Sequence, residues 1–351
     1  MKKIFFVVAL LVVVASCTKN EVIPQNDGNN EITYLTAPLT KATSSFGKSN
    51  KFYSYAYLLT SGNWAGNSAS SSLYINEAEI SYQNSTSVWK AAQSYYWPKN
   101  DGSSLTFFAW SNGTGTLVDA IGECSKTTGV QFRNYNVSEL GNKNKDMMVA
   151  KIAADQKNNT TSVPPYGQDG VTQGVPTLFY HVLSSLEIKA KVAAAYPNVT
   201  FKVKNITLKA NSVQGSYTQG IDADVLPTAG TWTQASPVVT ADLPVYNNAG
   251  FELNTSEQEL VATAADYRIL LPHVFADSEL MQITYDIVTN YTGTPVTETV
   301  TVSKKLSEIF TTPASWEAGK KYTLTITLSM NEILWDPAVW QWEPGTGSWG
   351  I

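Results

Sequence analysis

The sequence predicts an all-β chain assembled from sandwiches. Two-residue alternation of apolar and polar side chains recurs along its length, helical periodicity is scarce, and turn residues fill the links. At 351 residues the chain has room for about two domains. A core of that size needs neither disulfide nor metal staples. Charged residues make up 15% of the chain, against roughly 25% in an average soluble domain. The net charge is −5 and no basic run exceeds two residues. Nucleic-acid binding by counterion release needs clustered Lys and Arg, so no nucleic-acid partner is expected. Two histidines, His181 and His273, and two cysteines, Cys17 and Cys124, exclude a four-cysteine zinc site. A mixed site would need all four residues without the usual close spacing.

The N-terminus reads as an export signal. Lys2 and Lys3 precede a twelve-residue apolar run, Ile4 to Ala15. That run is too short to span a bilayer core of about 30 Å and suits a secretory signal. It ends Val14-Ala15-Ser16-Cys17, which resembles a bacterial lipobox. The resemblance implies a signal peptide over 1–16 and a diacylglycerol-modified, N-acylated Cys17 that anchors the chain to the outer membrane. The alternative is an ordinary signal peptide with an incidental cysteine. With Cys17 lipidated, Cys124 is left alone after export to an oxidising compartment, with no intrachain disulfide open to it. An inert thiol is the default reading, a nucleophile the alternative.

Elements follow in order. Residues 18–30 are polar with Pro and Gly, a tether. In the next stretch Ile32 and Tyr34 alternate with Thr33 and Leu35, a strand that Pro38 ends; 17–41 thus forms one lipidated tether-and-strand unit. Phe52 to Leu59 sets Tyr53, Tyr55 and Tyr57 on one face, and Leu105 to Trp110 is a short apolar run suited to a buried strand. Short helices are candidates at Ser138 to Gly141 and at Ser256 to Ala265, the latter opening with a capping-box pattern, Ser256 to Glu259. Residues 157–176 hold three prolines and three glycines and read as a linker. The domain boundary is placed there, giving units 42–172 and 173–351. Leu186 to Val192 alternates strictly. Phe201 and Val203 continue that pattern, but Ile206 and Leu208 fall on the opposite parity, so a bulge is expected near Asn205. Met281, Ile283, Tyr285 and Ile287 alternate, as do Tyr322, Leu324, Ile326 and Leu328 with Thr outward.

Catalytic signatures are absent. No G-x-S-x-G, Walker A or H-E-x-x-H occurs, and Asn112-Gly113-Thr114-Gly115 lacks the third glycine of a dinucleotide fingerprint. Glu77/Glu79, Glu257/Glu259 and Asp277/Glu279 are carboxylate pairs that a glycosidase could use, though a solvated strand face or loop explains them better. Asp222-Ala223-Asp224 lacks the Gly and Glu of a calcium loop. His181 and His273 read as satisfied core or edge histidines. No catalytic, cofactor or metal site is expected, and the chain is not read as an enzyme. Ten tryptophans are present, four of them in the last 17 residues. Core packing takes most. Aromatic faces also stack on sugars, so a surface glycan-binding lipoprotein is the alternative function.

Six segments, in order, resemble the fimbrillin family, the type V pilins of Bacteroidales. Lys145 to Ala150 (KDMMVA) is similar to the family's D-[LM]-[ML]-x-A segment, and Val175 to Ser184 to its F-x-H-x-[LM]-[AS] strand. Tyr267 to Pro272 is similar to Y-x-x-L-L-P, and Trp316 to Tyr322 carries G-K-x-Y. Asn331-Glu332-Ile333 and Val339 to Trp342 resemble the closing N-x-I and V-x-x-W. The resemblance implies two transthyretin-like β-sandwich domains in tandem, on a lipoprotein of the outer membrane and cell surface that serves adhesion. It further implies that a trypsin-like protease removes an N-terminal strand and that the C-terminal strand of another fimbrial subunit fills the vacated groove. Here the removable strand would be Glu31 to Leu39. The family usually carries Arg before the cut; this chain has Lys41-Ala42, its two arginines being Arg133 and Arg268. An uncut chain would be an anchor subunit. The donor would lie within 331–351, with Ile333, Trp335, Val339 and Trp342 as plugs and Pro337 splitting it into two short strands. Burying four such side chains gives roughly 6–12 kcal/mol before ordering and association costs. The alternative is that this segment folds back on its own domain as a last strand. Glu343 to Ile351 reads as a flexible end. The partners implied are other fimbrial subunits, the processing protease, the membrane through the lipid, and a host or bacterial surface ligand or glycan.

Overall fold

A computed structural model of the chain describes residues 30–36, 46–114, 122–139, 142–161, 170–261, 263, 266–291 and 293–342. Among these, strands dominate, and the α-helices are single turns, Trp64–Asn67 and Leu306–Ile309. The all-β expectation holds. Several sheets form two sandwich-like bodies.

The first body is a ten-stranded sheet. Its path runs Thr160–Thr161, Gln173–Thr177, Tyr34–Thr36, Val88–Ala91, Ser72–Gln83, Lys51–Leu59, Ser104–Ser111, Met148–Ala150, Phe179–His181, with Ala153–Gln156 also on Ser104–Ser111. Leu178 alone separates the strand second in this path from the strand at its far end, so the sheet curls back on itself. It encloses an aromatic core in which Phe46, Phe52, Trp89, Phe107 and Phe179 meet. The two central strands are buried on both faces, as the apolar run from Leu105 to Trp110 predicts. Phe52, Ala56, Phe107 and Ala109 point into this core, while Tyr55, Tyr57, Phe108 and Trp110 point into a second, larger one.

The second body sets Ser184–Val192, parallel to Lys320–Leu328, against a four-stranded antiparallel sheet of Thr240–Glu252, Val199–Ser212, Leu280–Thr289 and Val296–Lys305. Alternation fills the space between: Leu186, Ile188, Leu324 and Ile326 from one side, Val203, Ile206, Leu208 and Ile283 from the other. The parity switch near Asn205 is a bulge. Register shifts between Val203 and Asn205 against both neighbouring strands, which turns Ile206 and Leu208 back toward the core.

The helix expected at Ser256 to Ala265 does not form. Gln258–Glu259 pairs instead with Lys189 and Ala190: among the segment's described residues Leu260 is the one buried apolar anchor, and a lone anchor makes no helical stripe. Ser138 lies in a turn held by Asn136, and Gly141 lies outside the described residues. A third sheet, Thr231–Gln234, Gln214–Thr218, Gly129–Asn136 and Gly122–Ser125, carries strands from both sides of residue 172, and the strands at 173–177 and 179–181 belong to the first sheet. Sheet pairing therefore crosses the 172/173 line. This third sheet lies on the large-core face of the first body, where Phe132 meets Trp110 edge-to-face at 5.6 Å. Gly122 permits the approach: a Cβ there would come within 2.3 Å of the Trp110 ring.

Ile188→Ala should cost about 2–5 kcal/mol of unfolding free energy. Lys191→Ala, whose ammonium pairs with Glu257 at the surface, should stay within about 0.5 kcal/mol. Urea denaturation of both variants measures the difference.

Candidate functional site: the N-terminal strand and the closing strand

The strand at Tyr34–Thr36 is wedged into the first sheet. It pairs in parallel with Gln173–Thr177, Tyr34 opposite Val175, and antiparallel to Val88–Ala91, Tyr34 opposite Trp89. Upstream, Glu31 bridges to Tyr96, and Ile32 N–H donates to the Tyr95 carbonyl at 2.8 Å. Tyr34, Leu35 and Thr36 are all buried, as is Ile32, so both faces of the strand meet protein. The Tyr34 ring stands edge-on to Phe52 and Phe107.

Two devices hold this strand by its backbone. The Asn159 amide donates to the Glu31 carbonyl at 2.7 Å and accepts from Thr33 N–H at 3.2 Å. Gly174 lets the neighbouring backbone close in: a Cβ there would stand 2.6–2.8 Å from the Tyr34 main chain. Glu31 adds a charged tie, taking Lys90 at 3.0 Å and the Ser94 hydroxyl at 2.6 Å. Sequence reasoning missed Asn159 and Gly174, which look like ordinary loop residues until the strand is placed against them.

The closing strand, Ile333–Gln341, lies antiparallel to Lys320–Leu328 over nine residue pairs, Leu328 opposite Ile333 through Lys320 opposite Gln341. It forms the edge of its sheet. The segment is thus folded back on its own body here, the second of the two placements its sequence allows. It is one strand rather than two. Pro337, paired with Leu324, is tolerated because an edge strand has one side free of ladder bonds. Ile333, Trp335 and Val339 are half-buried against the large core. On the opposite face Leu334 and Trp340 remain 52% and 62% exposed.

Trp342 is fixed separately. Its ring stacks on His181 at 3.8 Å and 5°, and its backbone N–H donates to the Gly319 carbonyl at 2.6 Å. Beneath it, His181 Nδ1 lies 2.6 Å from the fully buried Asp146 carboxylate. Burial raises the Asp146 pKa, and His181 beside it pulls the other way. The last plug residue thereby rests on a close His181–Asp146 contact, which joins the strand Phe179–His181 to the residues just before Met148–Ala150. Asp146 and His181 stand in two separate family-like motifs, but nothing in their spacing pairs them.

Cys17, Lys41 and Ala42 lie outside the described residues, as does Glu343 to Ile351. Cys124 is packed against the large core beside Tyr57, and burial pushes its thiol pKa up, the opposite of an activated nucleophile. The carboxylate pairs are divided among separate partners. Glu79 takes Lys51, Glu257 takes Lys191, Asp277 takes Lys305, and Glu279 takes the buried His273 at 2.7 Å. Asp222 accepts from Asp224 N–H within its own turn.

Gly174→Val should force the N-terminal strand out while the rest of the fold persists. Hydrogen exchange checks this: amides of residues 31–36 lose protection and those of 184–192 keep it. Trp342→Ala should cost about 3 kcal/mol and deprotect the C-terminal end of the closing strand first.

Residues 22–342 match the fimbrillin-like family. The fold is similar to that of a fimbrial protein from Bacteroides vulgatus, with a TM-score of 0.64, 19% identity, and coverage of 90% of this chain and 100% of that one. It is also similar to a candidate cell adhesion protein from Bacteroides uniformis, with a TM-score of 0.50, 15% identity, and coverage of 91% and 100%. The sequence matches no curated protein. The matched span takes in both the wedged N-terminal strand and the closing strand, and the chain belongs to the fimbrillin-like family.

Proposed function

We propose that this chain is a fimbrial subunit that is lipidated on Cys17, cut after Lys41 by a trypsin-like protease, and polymerised by β-strand addition. As a fimbrillin-like protein it is a surface structural protein of the fimbrial type and not an enzyme. In the proposed assembly its closing strand fills the groove that another subunit's N-terminal strand has vacated.

One match of character carries this reading. The groove takes a strand that is apolar on both faces: Ile32, Tyr34 and Leu35 are all buried. An edge strand with one wet face should alternate apolar and polar. The closing strand does not alternate: Ile333, Trp335 and Val339 face the core while Leu334 and Trp340 face solvent. Such a strand is better satisfied where both faces are covered. Moving each large side chain from half-buried to buried is worth roughly 1 kcal/mol. Asn159 supports the exchange, because its bonds to the N-terminal strand go to backbone alone and so suit any occupant. Pro337 limits continuous pairing to the segments on either side of it, and the described groove, residues 31–36, is about that short.

Lys in place of the usual Arg supports a second reading, an uncut anchor subunit that retains lipid and strand. Trypsin treatment of the purified precursor, followed by an unheated SDS gel, separates the two. Strand exchange predicts cleavage after Lys41, an oligomer ladder, and loss of both in Lys41→Gln. A ladder that survives deletion of residues 333–351 refutes the donor role. No cleavage, with stable monomer, assigns the anchor reading.

A further inference from the structure

Beside the C-terminal end of the closing strand lies an open cleft of about 730 Å³, within the range of small-ligand sites. Its walls come from Thr231–Gln234, the edge strand of the third sheet, and from the two-stranded pair His273–Val274 and Ser315–Trp316. Of the closing strand, Gln341 alone lines it, and no residue of the N-terminal strand does.

The groups facing this cleft define a ligand chemistry. Trp232 lines it and is half-buried. Its indole N–H is already spent on the Val182 carbonyl at 2.6 Å, so what the ring offers a ligand is its apolar π surface. The neighbouring rings of Tyr217 and Tyr135 are tilted at 48° and 53°, and neither lies flat on it. The ring is held in advance of binding. Tyr217, packed against it, donates its hydroxyl to the Pro227 carbonyl at 2.7 Å. Gly230 packs so closely on Tyr217 that a Cβ would fall 2.6 Å from that ring.

Around this platform stand hydrogen-bonding groups with no partner among the described residues: the Gln234 amide, the Ser315 hydroxyl and the Glu317 carboxylate. Charge is sparse and balanced. Lys320 is the lining cation, and it donates to Gln341 Oε1 at 3.1 Å. His273 is not available, since its two ring nitrogens face the Leu271 carbonyl and the Glu279 carboxylate. A phosphate or sulfated polymer needs clustered cations, which this lining lacks. A fixed aromatic face ringed by amide, hydroxyl and single carboxylate groups suits a ring with an apolar C–H face and neutral hydroxyl edges.

We propose that the cleft at Trp232 binds a neutral saccharide, with one sugar ring on the indole and its hydroxyls on Gln234, Ser315 and Glu317. This goes beyond a structural role in a fimbria, and the residues proposed to hold the sugar belong to neither strand of the proposed exchange.

The test uses the full chain on a printed array of neutral and anionic glycans, then titration calorimetry with the neutral glycan that gives the strongest signal. Binding to neutral glycans is expected, with Gln234→Ala weakening it about tenfold at an unchanged unfolding midpoint. Trp232→Ala should abolish it. Because Trp232 also supports Tyr217 and Tyr135, Gln234→Ala and Glu317→Gln carry the result if that variant fails to fold. Trp340→Ala, an exposed tryptophan outside the cleft, should bind as the parent does. Absence of neutral-glycan binding, binding confined to anionic glycans, or binding unchanged in Gln234→Ala and Glu317→Gln would each overturn the proposal.

Discussion

Everything in the first body leans on two strands with no solvent face. Lys51–Leu59 and Ser104–Ser111 form the wall between two hydrophobic cores, and each sends alternate side chains into both. Burial favours polar groups there that find partners, although Ser54 Oγ and Trp110 Nε1 are buried without one among the described residues. Ser111 donates to the Lys51 carbonyl at 2.6 Å, Ser104 reaches Asp155, and Asp155 N–H donates to Thr106 at 3.2 Å. The small core holds the N-terminal strand, and the large core supports the third sheet and the half-buried face of the closing strand. A change in the wall is therefore felt on both sides of it.

The two mobile partners of the proposed assembly meet this frame differently. The N-terminal strand is gripped from both edges, by side chains and by backbone. The closing strand is held along one edge and pinned at its end by Trp342 on His181. Its grip is therefore asymmetric, strong at the terminus and weaker along the outer edge. The saccharide cleft shares one residue with this strand, Gln341, but its platform and most of its polar groups belong to other elements.

Much of the strand framework was legible because half-buried strands write their exposure directly into alternation. Leu186 to Val192 and the parity switch near Asn205 are clear cases. The doubly buried strand at 104–111 was legible for the opposite reason, as an unbroken apolar run. Ser256 to Ala265 was not, because a capping box describes how a helix begins and says nothing about whether an apolar stripe follows. The ends of the chain were legible as special but not as placed. Apolar residues on both faces of 333–341 are compatible with an edge and with a groove, and the choice depends on what else is present. Asn159, Gly174 and the Asp146–His181–Trp342 stack were invisible for a different reason. Each acts through a partner more than a hundred residues away, or between two segments whose approach only the fold creates.

The connection from Lys320–Leu328 to Ile333–Gln341 is a four-residue turn, in which Ser329 N–H donates to the Glu332 carbonyl at 3.0 Å. The N-terminal strand, by contrast, needs a partner some 140 positions downstream, as in the Thr33 hydroxyl bond to Gln173. Hairpins close in about 1–10 μs, whereas long-range pairing waits on slow loop closure. In a chain that leaves its channel amino end first, the groove walls are incomplete until residue 177 has emerged. The closing strand finds its neighbour almost as soon as it is out. The folded-back arrangement is thus the early product of folding, whatever the later equilibrium, and in the proposed assembly a subunit would start with its donor strand already sheathed.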